Sequence, residues 1–67
     1  MDDTLRTFVE AAEAQGWRVE RTNAKHLRFV PPDRTKPIVH TAGTPHGGKR
    51  GYANIRSDLR RAGLVLP

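Results

Sequence analysis

Apolar residues in the first fifteen positions recur at a spacing that suits a helix and not a strand. Leu5, Phe8, Val9 and Ala12 fall at i, i+3, i+4 and i+7, the stripe that one helical face presents. Asp2 or Asp3 stands where an N-cap is wanted, and Gly16 where a left-handed C-terminal cap is wanted. The pattern predicts a helix over 3–15. The period then drops to two. Trp17-Arg18-Val19-Glu20-Arg21 alternates apolar and charged residues, which predicts a half-buried strand. After a Thr22-Asn23-Ala24 connection the alternation resumes in Lys25-His26-Leu27-Arg28-Phe29-Val30. Leu27 and Phe29 share one face of this second strand, while His26 and Arg28 share the other. Pro31-Pro32-Asp33 closes it, because proline has no amide to give to a ladder. Ile38-Val39-His40-Thr41, reached through Pro37, predicts a third strand. Three consecutive short strands read as an antiparallel meander.

Residues 42–48 form a loop of Gly, Thr and Pro, and a second helical stripe follows in Tyr52, Ile55, Leu59 and Ala62, ended by Gly63. The order is α-β-β-β-α, an α+β fold with a three-stranded antiparallel sheet. Both helices must then cover one sheet face and leave the other open to solvent or partner. No repeat, linker or low-complexity segment divides the chain, so residues 1–67 are read as a single domain.

Length sharpens this picture. A chain of 67 residues buries only about 60% of its unfolded surface. It contains no cysteine, so neither a disulfide nor a thiolate metal site supports it. Any catalysis must use a shallow surface site. The acidic start lacks the cationic and apolar regions of a signal peptide, and the longest apolar runs are far short of a bilayer span. A cytoplasmic protein with no membrane partner is expected.

Charge points to a partner. The chain carries a net +5, unevenly spread. Residues 1–20 hold five acids against Arg6 and Arg18, whereas residues 21–67 hold ten Lys or Arg against Asp33 and Asp58. Two-thirds of the chain at +8 attracts polyanions. Nine of the twelve cations are arginine, the residue suited to bidentate phosphate contact.

Several candidate sites follow. His26, on the outward side of the second strand beside Arg18, Glu20 and Arg28, is a solvent-reachable imidazole able to serve as a base near neutral pH. The second helix begins after Gly43-Thr44-Pro45-His46-Gly47-Gly48 with Lys49 and Arg50, and free amides at a helix start beside two cations make an anion seat. Arg56 and Arg60 extend that basic stripe. Gly43, Gly48 and Lys49 match part of a P-loop, but Arg50 stands where a Ser or Thr must hold magnesium, and no parallel sheet is available. Nucleotide hydrolysis is rejected. His26, His40 and His46 are too loosely spaced for a metal-ligand pattern, and Ser57-Asp58 has no nucleophile elbow around it. No metal and no cofactor are expected.

Gly16-Trp17 with Val19, Lys25-His26-Leu27-Arg28-Phe29, Thr44-Pro45, Asn54 and Leu59-Arg60-Arg61-Ala62-Gly63-Leu64 together resemble the HicA toxin family, and within it the short phage-borne members. The resemblance spans residues 5–64, and the closing Leu-Arg-Arg-Ala-Gly-Leu is its most specific part. It implies a fold like the double-stranded-RNA-binding domain and a metal-independent mRNA interferase. It further implies one catalytic histidine on the second strand and neutralisation by a HicB antitoxin. The family's usual Gly-Ser-His or Gly-Gly-His is here Ala24-Lys25-His26. Lys49-Arg50-Gly51-Tyr52-Ala53 is also similar to the basic run by which double-stranded-RNA-binding domains grip phosphates.

Two functions follow from these residues. In the first, a HicA-type endoribonuclease, His26 is the general base or acid. Lys25, Arg28, Lys49, Arg50, Arg56 and Arg60 bind RNA and its phosphates. In the second, a non-catalytic RNA- or DNA-binding module, His26 is one contact among several. An interaction protein whose basic face meets an acidic partner is a third class.

Overall fold

The computed structural model describes residues 3–23, 26–42 and 49–66; the side chains of residues 22–23, 42 and 49–50 lie outside that description. Helix α1 spans Asp3–Ala14, strands β1, β2 and β3 span Arg18–Asn23, His26–Val30 and Val39–Ala42, and helix α2 spans Lys49–Arg61. The strands form one antiparallel sheet in the order β1-β2-β3. The α-β-β-β-α order and the α+β class are therefore those the sequence predicts.

Both helices lie on the same side of the sheet. Leu5, Phe8 and Ala12 of α1 and Ile55 and Leu59 of α2 join Leu27, Phe29 and Val39 of the strands in one buried cluster. Trp17, Ala62 and Leu64 complete it, with Val9, Val19, Tyr52 and Leu66 half-buried at its margin. Phe29, Leu5 and Leu59 are the largest side chains fully out of contact with solvent. The molecule is two layers thick and measures 29 × 25 × 18 Å. No described helix is long and apolar enough to cross a membrane.

The two helices stop in the same way. Gly16 and Gly63 have φ of 85° and 104°, a left-handed conformation that costs a residue with a Cβ. In each case the next amide reaches back five residues, Trp17 to Ala12 O at 2.9 Å and Leu64 to Leu59 O at 2.9 Å. The glycine amides bond to Glu13 O at 3.2 Å and Arg60 O at 3.0 Å. These are paired Schellman closures, and each sends a large apolar side chain, Trp17 or Leu64, back into the core.

Strand boundaries differ from the sequence reading at both ends of β1 and of β3, where Ala42, expected in the following loop, ends the strand. Trp17 precedes β1 instead of opening it, because its amide is committed to the α1 cap. β1 runs on to Asn23, and the ladder absorbs the extra length in a bulge. Arg21 pairs with Leu27 and Asn23 with His26, leaving Thr22 as the additional residue. β3 begins at Val39, and Ile38, expected to open that strand, precedes it and is 43% exposed.

Two polar devices fasten the covering layer and the strand connection. The Gln15 carboxamide donates to Val65 O at 2.7 Å and accepts from Val65 N at 2.9 Å, tying the end of α1 to the chain beyond α2. In the β2–β3 connection, Asp33 Oδ1 accepts from the Thr35 hydroxyl at 2.7 Å and from the Thr35 amide at 2.9 Å. Those two bonds, hydroxyl first, hold the Asp33 carboxyl below its ordinary range.

Candidate nucleic-acid interface

Register places the charged residues. Glu20 pairs with Arg28 and Arg28 with His40, so the three lie in one row across the sheet on the face that no helix covers. His26 pairs with Ala42 one row further along, and Arg18 pairs with Val30 on the other side. Alternation then puts Arg18, Glu20, His26, Arg28 and His40 on one surface. Leu27 and Phe29, interleaved with them on β2, are buried on the other. The parity expected of His26 and Arg28 is the parity found.

His26 is exposed at the first position of β2, directly across from the end of the β1 bulge. Bulges commonly re-aim side chains beside functional sites. Arg28 is half-buried. Its Nη2 lies 3.0 Å from Glu20 Oε1, and Arg18 Nη1 lies 3.6 Å from Glu20 Oε2. Arg28 Nε is buried without a hydrogen-bond partner among the described residues. One carboxylate thus spans two arginines, and the open face carries a smaller net charge than its count of cations suggests.

The remaining expected contacts do not converge on His26. Arg56 lines a groove of about 330 Å³ between the helices, together with Thr4, Phe8, Tyr52 and Ala53. Arg60, also exposed on α2, belongs to the helical layer as well. The helices cover the face opposite His26, so Arg56 and Arg60 are not on the surface that bears His26 and Arg28. The expectation that both helices cover the face opposite His26 already implied this separation, which grouping the cations by charge alone overlooks. Lys25 lies outside the described residues, as do the loop 43–48 with His46 and the side chains of Lys49 and Arg50.

Sequence reasoning passed over His40 except as a metal ligand. The structure puts it on the open face opposite Arg28, and it also borders a groove of about 230 Å³ with Pro37, Ile38, Val39, Asp58 and Arg61. Its parity relative to Val39 was the available signal, but the face it shares with His26 depends on the β2–β3 register. Among the described residues, no group of His, Cys, Asp and Glu is placed to hold a metal ion.

An exposed imidazole flanked by an arginine, on a sheet face that no helix covers, suits a long polyanion lying across it better than a small molecule that must be enclosed. No family model, no curated protein and no solved structure matches this chain.

Proposed function

We propose that this chain is a HicA-type endoribonuclease of the cytoplasm that cleaves mRNA without a metal ion, held in check by a HicB-like antitoxin. The observation that carries the reading is the exposed His26 on the uncovered sheet face, with Arg28 two residues along on the same side. The +8 balance of residues 21–67 and the resemblance carried by Lys25-His26-Leu27-Arg28-Phe29 and Leu59-Arg60-Arg61-Ala62-Gly63-Leu64 support it.

The chemistry starts from what RNA and an imidazole provide. His26 takes the proton of a ribose 2′-OH, and the 2′-oxygen attacks the adjacent phosphorus. The bond from phosphorus to the 5′-oxygen breaks, leaving a 2′,3′-cyclic phosphate and a 5′-hydroxyl. Arg28 and Lys25 offset charge on the phosphorane, while Lys49, Arg50, Arg56 and Arg60 bind more distant phosphates of a strand that wraps the domain. A second reading, an RNA- or DNA-binding module that does not cut, draws on Glu20, which already neutralises part of Arg28 on this face.

Product analysis separates the two. In excess EDTA the protein should cut RNA, leave DNA of the same sequence intact and yield cyclic or 3′-phosphate ends. RNA released whole at saturating protein would leave only the binding module.

A further inference from the structure

In-line attack at phosphorus puts the entering 2′-oxygen and the departing 5′-oxygen on opposite sides of the reacting atom. An imidazole within hydrogen-bond reach of one, about 2.6–3.2 Å, is out of reach of the other. The reaction proposed for His26 therefore calls for a second proton-transfer group on the same surface. The open-face residues whose side chains are described are Arg18, Glu20, His26, Arg28, Val30 and His40. Arginine does not give up its proton, valine has none to give, and the Glu20 carboxylate is engaged by Arg18 and Arg28. Beside His26, His40 is the one among these described side chains with an imidazole that can hold and give up a proton.

Its position suits the task. His26 is paired with Ala42, and His40 stands two residues before Ala42 on β3, so the two histidines are diagonal neighbours on one face. Such diagonals lie about 7–8 Å apart, a span that leaves room for a phosphodiester with one hydrogen bond on each side. Arg28 is two residues from His26 on β2 and directly opposite His40, so it neighbours both histidines, while its guanidinium reaches Glu20 on the β1 side. Both imidazoles are exposed.

We propose that His40 is the general acid of the reaction, giving its proton to the departing 5′-oxygen while His26 takes one from the 2′-OH. This rests on the ribonuclease reading above. One proton leaves the 2′-oxygen for His26 and one leaves His40 for the 5′-oxygen, so the balance closes once water resets the two rings.

Sulfur at the bridging 5′-position tests it, because a thiolate departs without needing a proton. The probes are an RNA oligonucleotide carrying the mapped cut site and the same oligonucleotide with a 5′-phosphorothiolate at that bond. His40→Ala should lose about 10²–10⁴-fold in cleavage of ordinary RNA and recover to within tenfold of wild type on the sulfur substrate. His40→Gln, which keeps a hydrogen-bonding side chain but has no exchangeable ring proton, should behave alike. His26→Ala should remain impaired on both. Wild-type rates from both His40 variants on ordinary RNA, or an equal loss on the two substrates, would overturn the role of His40 and leave that of His26 standing. If wild-type protein cuts neither substrate, the ribonuclease reading falls and this proposal falls with it.

Discussion

The two faces of the sheet are built from alternate residues of the same strands, yet they differ in almost every physical respect. On the helix side, Leu27, Phe29 and Val39 are at most 7% exposed and pack into one cluster with both helices. On the other side, Glu20, Arg28 and His40 form a polar row whose members remain accessible to water and to a partner. A strand of five residues, His26–Val30, therefore carries a fold determinant and a candidate site residue at successive positions. The hydrophobic effect fixes which way Leu27 and Phe29 point, and period-two geometry then fixes His26 and Arg28 with no further interaction required to aim them. Side chains set in this way can be replaced without disturbing the fold, which makes the contrast between faces testable.

The largest effect is expected on the covered side. Phe29→Ala removes the biggest fully buried side chain and should cost about 3–5 kcal/mol. A domain this small has a total stability of similar size, so the variant should be largely unfolded by circular dichroism at room temperature. A cooperative melt near that of wild type would mean that the covered face is not the foundation described.

A smaller effect is expected where the covering layer is fastened. Gln15→Ala deletes both bonds to Val65. Solvent competes at this exposed latch, so the loss should be about 1 kcal/mol, or about 4–8 °C in melting temperature for a domain of this size. Unchanged melting would show that apolar packing alone holds Leu64 and Leu66.

The smallest change in stability is expected on the open side. Glu20→Gln breaks the ion pairs to Arg18 and Arg28, whose partly exposed geometry limits the cost to about 0–1 kcal/mol. It also unmasks two arginines, so RNA should bind more tightly and with a steeper salt dependence. On a single strand the log–log slope should steepen by about 0.7 for each additional phosphate that an arginine neutralises. An unchanged slope in a filter-binding titration would place the RNA path away from this face.

How much of this could be read in the sequence varied with the range of the interaction that decides it. Element order, the buried pair Leu27 and Phe29 and both glycine stops follow from local spacing and local backbone chemistry. Trp17 misled because two local rules compete there, strand alternation and helix capping, and the cap takes the amide. The bulge at Thr22 was hidden because its presence depends on pairing with β2, not on β1 alone. The Gln15–Val65 latch joins residues fifty apart, beyond any periodicity. Within the site, the outward direction of His26 was legible, whereas its nearness to His40 required the register across the connection of residues 31–38. The separation of Arg56 and Arg60 from His26 was legible in principle, since both helices were expected on the face that Leu27 and Phe29 share, opposite His26.

The contrast between the faces is tested most directly by one variant measured twice. His26→Ala should melt within about 0.5 kcal/mol of wild type, as an exposed substitution does. In the same preparation it should lose RNA cleavage in excess EDTA by about 10²–10⁴-fold. Cleavage at the wild-type rate by a folded His26→Ala protein would contradict the assignment of the open face as the reactive surface.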